Sequence, residues 1–388
     1  MTKIFLTGIT GLVGSSFVVA LLRERKDVDI VCMVRPDYTG AVLPRVEKAV
    51  REQCEFDNCM EDYEKIMSHV SAVGGDVTTM VPSELVKLPE MAGVDTVFHC
   101  AADVNLGKDA TGRTFRINYN GTVNMLELAK LLKVKAFHYV STAYVAGKLA
   151  GRAMENIPLE RGFNNPYEES KCKAEMLVRN CGIPFSIYRP AIITGRLCDG
   201  RIRKPLAFYR ILEFLAKLKK HHCGKAKLDP ASVVNMAIHF RAIPSEHVYF
   251  VPIDYVQRAI TALFQTPVVN RTYHVTGNSP VSTLQIDVAM CKFLRLTGVS
   301  VDKDNVPAGS DEKLMTRFLG DLLPYFSSDI VFDQTNIVAA LGSEFINWEF
   351  GTKGLEVLMR SYYADFFPDV PWLAELVNIY DKSAHTEK

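Results

Sequence analysis

The sequence predicts an α/β fold, in which a doubly wound parallel sheet carries helices on both faces and a smaller, mostly helical lobe follows towards the C-terminus. Short apolar runs alternate with helical stretches through the first half of the chain, and the pattern changes to helix and loop after Gly195. Parallel strands are covered on both faces, so they appear in a sequence as continuous apolar runs. The predicted strands are residues 3–7, 30–34, 96–100, 136–141 and 185–188.

The length of the chain and the order of these elements predict its domains. With 388 residues, 48% of them hydrophobic, the chain can bury a large core. We expect residues 1–195 to form a domain around the sheet, with parts of 245–280 returning to it, and residues 196–388 to form mainly a substrate-binding lobe. Residues 36–74 are predicted to be an excursion of the first domain.

The overall charge and the cysteines restrict the class of protein. The 45 basic residues are balanced by 44 acidic ones, so no global field attracts nucleic acid or an anionic membrane. The longest apolar run, residues 12–22, is well short of the ~20 residues of a membrane span, and Met1 leads into a strand without a signal peptide. None of the nine cysteines forms a CxxC pair. We therefore expect a cytoplasmic protein with reduced thiols, no metal site, no nucleic-acid partner and no membrane span.

A glycine-rich turn follows the first predicted strand. The run TGITGLVG, residues 7–14, leaves the strand and opens an apolar helix. Glycines at this spacing allow a sharp turn and a close approach of the backbone to a pyrophosphate, which the positive end of the helix favours. At the first strand-to-helix turn, the pattern predicts a Rossmann-type dinucleotide-binding unit. The candidate cofactor contacts are Thr7, Gly8, Thr10, Gly11, Leu12, Val13 and Gly14.

An arginine stands at the end of the second predicted strand. A Rossmann protein that prefers NAD tends to carry an acidic residue there, which binds the ribose hydroxyls. Arg35 can instead pair with a 2′-phosphate, because a guanidinium matches phosphate geometry with two donors. The sequence therefore favours NADP(H) over NAD(H) as the cofactor. The alternative is that Arg35 is a solvated surface residue.

Three hydroxyl- and amine-bearing side chains form a candidate catalytic centre. Tyr167 and Lys171 have the YxxxK spacing, which places both on one face of a helix. A lysine ammonium beside a phenol favours the phenolate and lowers the tyrosine pKa from ~10, so the tyrosine becomes a usable proton donor to a carbonyl oxygen. Thr142, at the end of a predicted strand, supplies a hydroxyl that can hold that oxygen as charge develops.

The combination of motifs resembles the extended short-chain dehydrogenase/reductase superfamily over roughly residues 1–280. Besides the glycine turn and the YxxxK pair, the resemblance is carried by the runs GDV at 75–77, HCAA at 99–102, NYNGT at 118–122 and VST at 140–142. It implies that Thr142 is the catalytic Ser/Thr, Tyr167 the acid/base and Lys171 its partner, with Tyr167 and Lys171 also contacting the cofactor. The further cofactor contacts that it implies are Asp76 and Val77 at the adenine, Ala101 and Ala102 along the cofactor, Asn118 behind the nicotinamide, and Pro190, Ile192 and Ile193 alongside it.

Within that superfamily the chain resembles the thioester-reductase branch, which includes fatty acyl-CoA reductases, the reductase domains of carboxylic acid reductases and the terminal reductases of nonribosomal peptide synthetases. The runs VFHCAADVN, NNPYEESK, YRPAIITG and TYHVTGN suggest this branch. It implies an NADPH-dependent reduction of an acyl thioester to an aldehyde, and a further step to the alcohol is left open. The implied partners are a thioester of coenzyme A or of an acyl carrier protein.

Other functions stay open at this point. A nucleotide-sugar epimerase or dehydratase, or a ketone/aldehyde reductase, uses the same motifs, and a non-catalytic redox sensor is disfavoured by the Tyr/Lys pair. The adjacent residues 221–223 (His-His-Cys) cannot converge on one metal ion. The lysines within residues 217–227 either form a solvated helix face or dock a coenzyme A phosphate or an acidic carrier protein.

Overall fold

The computed structural model describes residues 1–156, 162–229, 231–302, 304, 309–326, 328–371 and 373–377. The strands are β1 (Thr2–Thr7), β2 (Val28–Val34), β3 (Val70–Gly74), β4 (Thr96–His99), β5 (Ala136–Val140), β6 (Arg152–Ala153), β7 (Phe185–Pro190), β8 (Ile192–Thr194), β9 (Val234–Phe240), β10 (His247–Val248), β11 (Phe250–Pro252), β12 (Arg271–Val275), β13 (Val281–Ser282), β14 (Leu296–Val301) and β15 (Val331–Phe332). The α-helices are α1 (Leu12–Glu24), α2 (Leu43–Phe56), α3 (Tyr63–Met67), α4 (Pro82–Leu85), α5 (Arg113–Phe115), α6 (Gly121–Leu132), α7 (Pro166–Arg179), α8 (Phe208–Ala226), α9 (Ile253–Phe264), α10 (Thr283–Leu294), α11 (Ser310–Leu319), α12 (Thr335–Leu341) and α13 (Gly351–Phe366).

Seven parallel strands form the central sheet, in the order β12-β7-β5-β4-β1-β2-β3. Five of them, β1, β2, β4, β5 and β7, are the strands that the sequence predicted, each within two residues of its predicted ends. The predicted Rossmann-type α/β class is therefore confirmed. The two edge strands, β3 and β12, were not predicted as strands, because β3 is only partly buried and β12 mixes Arg, Thr and His with its apolar residues.

Both faces of the sheet are covered, which explains the continuous apolar runs. Val97 of β4 belongs to a buried cluster with residues of α6 and α7 such as Met125 and Val178. The next residue, Phe98, points to the opposite face, because successive side chains of a strand alternate. Its ring stacks on Phe17 of α1, with the ring centroids 3.9 Å apart. Burying one such side chain is worth roughly 1.5–3 kcal/mol, so packing on both faces fixes the strand register.

The chain divides into two compact units. The first unit holds Met1–Ala191, Val256–Thr276 and Val331–Ile346, and the remaining described residues form the second. Its first boundary falls close to the expected one at 195, and the excursion at 36–74 belongs to the first unit. Residues 331–346, which we expected in the substrate lobe, lie in the first unit because β15 pairs with β6.

The second unit contains three two-stranded pairs, β8 with β11, β9 with β14 and β10 with β13. The Tyr363 hydroxyl of α13 donates to the Leu212 carbonyl of α8 at 2.7 Å. The buried Lys219 ammonium of α8 donates to the Leu294 carbonyl at the end of α10, at 2.6 Å. These bonds tie the helices of this unit together. Within the described part of the chain, every helix falls short of the length and apolar content that a membrane crossing requires.

Candidate active site

The backbone of the glycine turn requires glycine at two of its positions. Gly8 has a φ of +87°, and a Cβ at this position would lie 2.7 Å from the backbone nitrogen of Ala101. A Cβ on Gly14 would lie 2.2 Å from the Gly8 carbonyl oxygen. The N–H of Gly11 closes the turn by donating to the same carbonyl at 2.9 Å. Any side chain at Gly8 or Gly14 would therefore push α1 or the segment after β4 away from the turn.

A cleft of about 240 Å³ lies at this turn. It is at the carboxyl ends of β1, β2 and β4, where the order of the sheet reverses and where open parallel sheets bind their ligands. The lining residues that the sequence predicted are Thr7, Gly8, Thr10, Gly11, Arg35, Asp76, Val77, Ala101 and Ala102. The lining residues that it missed are Ile9, Met33, Val34, Arg45, Gly75, Cys100, Asp103, Arg113 and Ile117. The structure thus brings widely separated segments to one cleft, whereas the predicted Leu12, Val13 and Gly14 lie in the first turn of α1 and not in its lining.

Three arginines line the cleft, and only Arg35 was predicted. Arg45 of α2 donates from Nη1 to the Arg35 carbonyl at 2.6 Å. Arg35 Nη1 lies 4.0 Å from Asp76 Oδ2, and 61% of the Arg35 side chain is exposed, so its charge is only loosely paired. Arg113 Nη2 lies 3.7 Å from a carboxylate oxygen of Asp103. The available signal for Arg45 was the proline before it, which marks the first turn of α2.

The three candidate catalytic residues converge at the carboxyl end of β5. The Lys171 ammonium donates to the carbonyl of Val140, the last residue of β5, at 2.6 Å and lies 4.2 Å from the ring centroid of Tyr139. The Thr142 side chain, two residues after the strand, lies close enough to the Tyr167 phenol to influence its pKa. Tyr167 and Lys171 are one helical turn apart on α7, so one face of this helix presents both.

Local caps hold these segments. The Asn165 side chain precedes α7 and accepts the Glu168 N–H at 3.0 Å, which fixes the first turn of the helix, where Tyr167 lies. Thr142 caps the short 3₁₀ turn over residues 143–146 and accepts the Tyr144 N–H at 3.3 Å. The positions of the phenol and of the threonine hydroxyl are therefore set by backbone hydrogen bonds near each of them.

Burial changes the pKa of both ionisable members of the centre. It lowers the pKa of Lys171 to about 8, and Cys100 and Glu175 oppose this shift. Burial raises the pKa of Tyr167, and the Thr142 side chain acts in the other direction. The sequence predicted a Tyr167 pKa lowered by Lys171. That expectation is wrong for this geometry, because the phenol is desolvated and the ammonium donates to a backbone carbonyl of β5.

Asn118 lies in a π-helical turn, Arg116–Asn120, a distortion that is frequent at functional sites. Its side-chain oxygen accepts the Asp103 N–H at 2.8 Å, and its side-chain nitrogen donates to the Ser170 hydroxyl at 3.0 Å. Asn118 is 1% exposed. It therefore ties the loop after β4 to α7, the helix that carries Tyr167.

The predicted residues of the run YRPAIITG are divided between the two units. Pro190 ends β7 in the first unit, and its carbonyl accepts a long hydrogen bond of 3.5 Å from the Thr142 hydroxyl. Ile192 and Ile193 are half-buried residues of β8, which pairs with β11 in the second unit. Pro190 therefore lies beside Thr142 of the candidate centre, whereas Ile192 and Ile193 belong to the second unit.

A buried ion-pair network adjoins the centre and was not predicted. The Glu175 carboxylate accepts hydrogen bonds from Arg189 at 2.5 and 3.0 Å and from Arg179 at 2.9 Å. It also accepts the Ser141 hydroxyl at 2.9 Å. Burial raises the pKa of Glu175, but the two guanidiniums outweigh burial and lower it overall. We call these four residues the Glu175 network.

The basic segment at 217–227 lies mostly on α8 of the second unit. One face of α8 is buried, and another lines a groove of about 700 Å³ together with α11. The lining residues are Arg210, Glu213, Phe214, Lys217, Leu218, His221, Lys225, Ser310, Asp311, Leu314, Phe318 and Leu319. His222 Nε2 lies 2.6 Å from a carboxylate oxygen of Asp311, while Cys223 is buried. The described residues contain no cluster of three or more His, Cys, Asp or Glu that could hold a metal ion.

The fold and the cleft define a Rossmann-type dinucleotide-binding protein. The chain belongs to the NAD-binding family described as male sterility protein, which it matches over residues 6–260. The predicted membership of the extended short-chain dehydrogenase/reductase superfamily, a superfamily of NAD(P)-dependent oxidoreductases, is therefore confirmed.

A curated relative is also a reductase, and solved structures share the fold. Aldehyde reductase lnaA of Aspergillus flavus is 27% identical over 304 residues, which cover 74% of this chain and 26% of that protein. The chain thus spans about a quarter of the length of this curated relative. The terminal R domain from the myxalamid PKS-NRPS pathway matches over 95% of this chain and 92% of its own, with a TM-score of 0.71 and 24% identity. A thiolation-reductase di-domain from an archaeal nonribosomal peptide synthetase matches over 94% and 76%, with a TM-score of 0.71 and 23% identity.

Proposed function

We propose that this chain is an NADPH-dependent reductase that converts an acyl thioester to an aldehyde. The observation that carries the proposal is the convergence of Thr142, Tyr167 and Lys171 at the end of β5, in the same unit as the glycine-lined cleft. The similarity to an aldehyde reductase and to reductase domains of peptide synthetases supports the substrate class.

The cleft fits a dinucleotide by its shape and its charge. At Gly8 and Gly14, a side chain would collide with neighbouring backbone atoms, so the turn stays open to a close-lying phosphate at the start of α1. Arg35 and Arg45, joined by a hydrogen bond, bring two guanidiniums to one side of the cleft. Guanidiniums pair with a 2′-phosphate through charge-assisted bonds, which favours NADP(H) over NAD(H).

Each member of the centre has one task in the proposed reaction. When bound, the reduced nicotinamide supplies a hydride for the thioester carbonyl carbon. The hydroxyls of Thr142 and Tyr167 donate to the carbonyl oxygen, and Tyr167 transfers its proton to that oxygen as negative charge develops. Lys171 binds the cofactor ribose, and its ammonium is held by the Val140 carbonyl at the end of β5. The C–S bond of the resulting hemithioacetal then breaks, releasing the aldehyde and a thiol that takes the hydroxyl proton.

We propose that the acyl group arrives on coenzyme A or on an acyl carrier protein. A solved relative joins a thiolation domain to a reductase domain, which supports a carrier as the partner. The groove along α8 carries Lys225 and His221 beside apolar side chains, although Glu213 pairs with Lys217 there, so the basic side chains that could meet a carrier thioester in the second unit are Lys225 and His221.

A turnover assay with a substrate panel tests this function. The purified chain is mixed with NADPH and, separately, with acyl-CoA thioesters, carrier-bound thioesters, free aldehydes and free ketones, and NADPH absorbance and products are followed. We expect NADPH consumption and aldehyde formation with a thioester, and the product list decides whether the alcohol follows. Consumption with ketones alone would overturn the proposal. Tightly bound NAD in the purified protein, together with turnover of a nucleotide sugar, would establish the epimerase alternative.

A further inference from the structure

Glu175 connects the two segments that carry the catalytic candidates. It lies one helical turn after Lys171 on α7, and both side chains are buried. One carboxylate oxygen accepts from the Ser141 hydroxyl at 2.9 Å and from Arg189 Nε at 3.0 Å, and the other accepts from Arg189 and Arg179. The carboxylate therefore bridges α7 and the residue next to Thr142.

Ser141 is held from both its backbone and its side chain. Its N–H donates to the Tyr188 carbonyl of β7 at 2.7 Å, while its hydroxyl donates to Glu175. With both groups fixed, the direction in which the chain leaves β5 is fixed, and this direction sets where the Thr142 hydroxyl lies. A residue that holds Ser141 therefore acts on Thr142 without contacting it.

The charge of Glu175 also acts on Lys171. Burial disfavours the ammonium form of Lys171, and the negative charge of Glu175 opposes burial. Among the described residues, the titratable groups that interact with Lys171 are His99, Cys100, Tyr139 and Glu175. Glu175 is the acidic residue of this set, because the others are an imidazole, a thiol and a phenol. Loss of its charge removes one of the two interactions, with Cys100 and with Glu175, that oppose the effect of burial on the Lys171 pKa.

We propose that Glu175 is a positioning residue of the reductase centre, which holds Ser141 and thereby the Thr142 hydroxyl in place and keeps Lys171 in its ammonium form. Within the described part of the chain, the Glu175 carboxylate binds Ser141, Arg179 and Arg189, and we propose that it acts through these neighbours. This role rests on the proposed function, because it assumes that Thr142 and Lys171 serve a carbonyl reduction. The binding of NADPH, which uses the Lys171 ammonium, gives a readout that does not depend on turnover.

The test compares Glu175→Gln, Ser141→Ala and the control Glu169→Gln. Glu169 lies on the same helix with 41% of its side chain exposed and pairs with Lys173, away from the network. NADPH affinity is measured by fluorescence between pH 6 and 10, and kcat and KM are measured with a thioester that the wild type reduces. Because the Lys171 pKa is lowered to about 8, NADPH affinity and kcat should both fall in the wild type as pH rises through that value. Glu175→Gln should move this loss to lower pH by about one unit, since it removes an opposite charge.

The two variants separate the two halves of the proposal. Ser141→Ala should lower kcat by about tenfold with KM and the pH midpoint unchanged, because the buried hydrogen bond from the Ser141 hydroxyl to the Glu175 carboxylate is lost while the charge of Glu175 stays. The control should match the wild type in every signal. If Glu175→Gln folds and the midpoint of its pH dependence is that of the wild type, the proposed role of Glu175 is wrong. A wild-type kcat in Ser141→Ala also contradicts the role, and this variant decides if Glu175→Gln does not fold. A wild type inactive on every thioester refutes the proposed function instead, and the pH dependence of NADPH binding then still decides on Glu175.

Discussion

The cleft of the first unit and the groove of the second differ in what determines their shape. In the cleft the limiting distances are between backbone atoms, as where a Cβ on Gly14 would lie 2.2 Å from the Gly8 carbonyl oxygen. The groove is formed by side chains of two helices, among them Phe318 of α11, which is 53% exposed. A backbone requirement restricts a position to glycine and so leaves a motif, whereas many side chains can line a groove. A cofactor site of this kind can therefore be predicted from a sequence, whereas a surface groove cannot.

The largest effect is expected at the catalytic centre of the first unit. Tyr167→Phe removes the proposed proton donor and should lower turnover by about two to four orders of magnitude. NADPH affinity and the unfolding midpoint should stay close to those of the wild type, because the ring remains. Turnover within threefold of the wild type would show that another group donates the proton. The cleft of the first unit would then differ from the groove of the second in cofactor binding, but not in holding this proton donor.

The next effect concerns the choice of cofactor. Arg35→Ala should reduce the preference for NADPH over NADH by about ten- to a hundredfold, because charge-assisted hydrogen bonds worth roughly 1.5–3 kcal/mol are lost. Arg45→Ala should act in the same direction, while Arg51→Ala, an exposed arginine of the same helix, serves as the control. The measurement is kcat/KM with each cofactor. An equal loss for NADH and NADPH contradicts the phosphate assignment and indicates stacking on the adenine.

A matched pair of glycine substitutions tests the comparison directly. Gly14→Ala should destabilise the protein by about 1–3 kcal/mol, because the added methyl group collides with backbone. Gly224→Ala on the exposed side of α8 meets open space and should stabilise its helix by up to about 1 kcal/mol. Denaturant unfolding of both variants gives the two values. If Gly14→Ala is as stable as the wild type, the turn is more compliant than its backbone distances indicate.

The smallest effect is expected in the groove. Lys225→Glu reverses a surface charge and should change kcat/KM for an acyl-CoA by less than about threefold, since exposed charges contribute little. Lys48→Glu, 78% exposed on α2, is the control for a charge reversal elsewhere. The assay is repeated with a carrier-bound thioester. A tenfold loss of kcat/KM that is seen with the carrier-bound substrate alone, and in Lys225→Glu but not in Lys48→Glu, would show that the groove is a docking surface and not a solvated helix face.

The sequence predicted those parts of the molecule that depend on local rules. Buried parallel strands and the glycine turn each leave a continuous pattern, and the YxxxK spacing places two side chains on one helix face. Arg45 was missed because its place at the cleft depends on how the excursion returns to the sheet. The Glu175 network was missed because Ser141, Glu175 and Arg189 come from separate elements, and nothing in their spacing shows that they meet.

The pairing of β15 with β6 has a consequence for how the protein is made. The backbone N–H of Asn336 donates to the Glu155 carboxylate across 181 residues of sequence, and the His274 N–H donates to the same carboxylate at 2.6 Å. During translation the first unit therefore stays incomplete until the ribosome has passed α12, and contacts of such long range slow folding. A shortened gene that stops after the YRPAIITG run, at the boundary expected from the sequence, would encode a sheet without β12 and with Glu155 deprived of both donors.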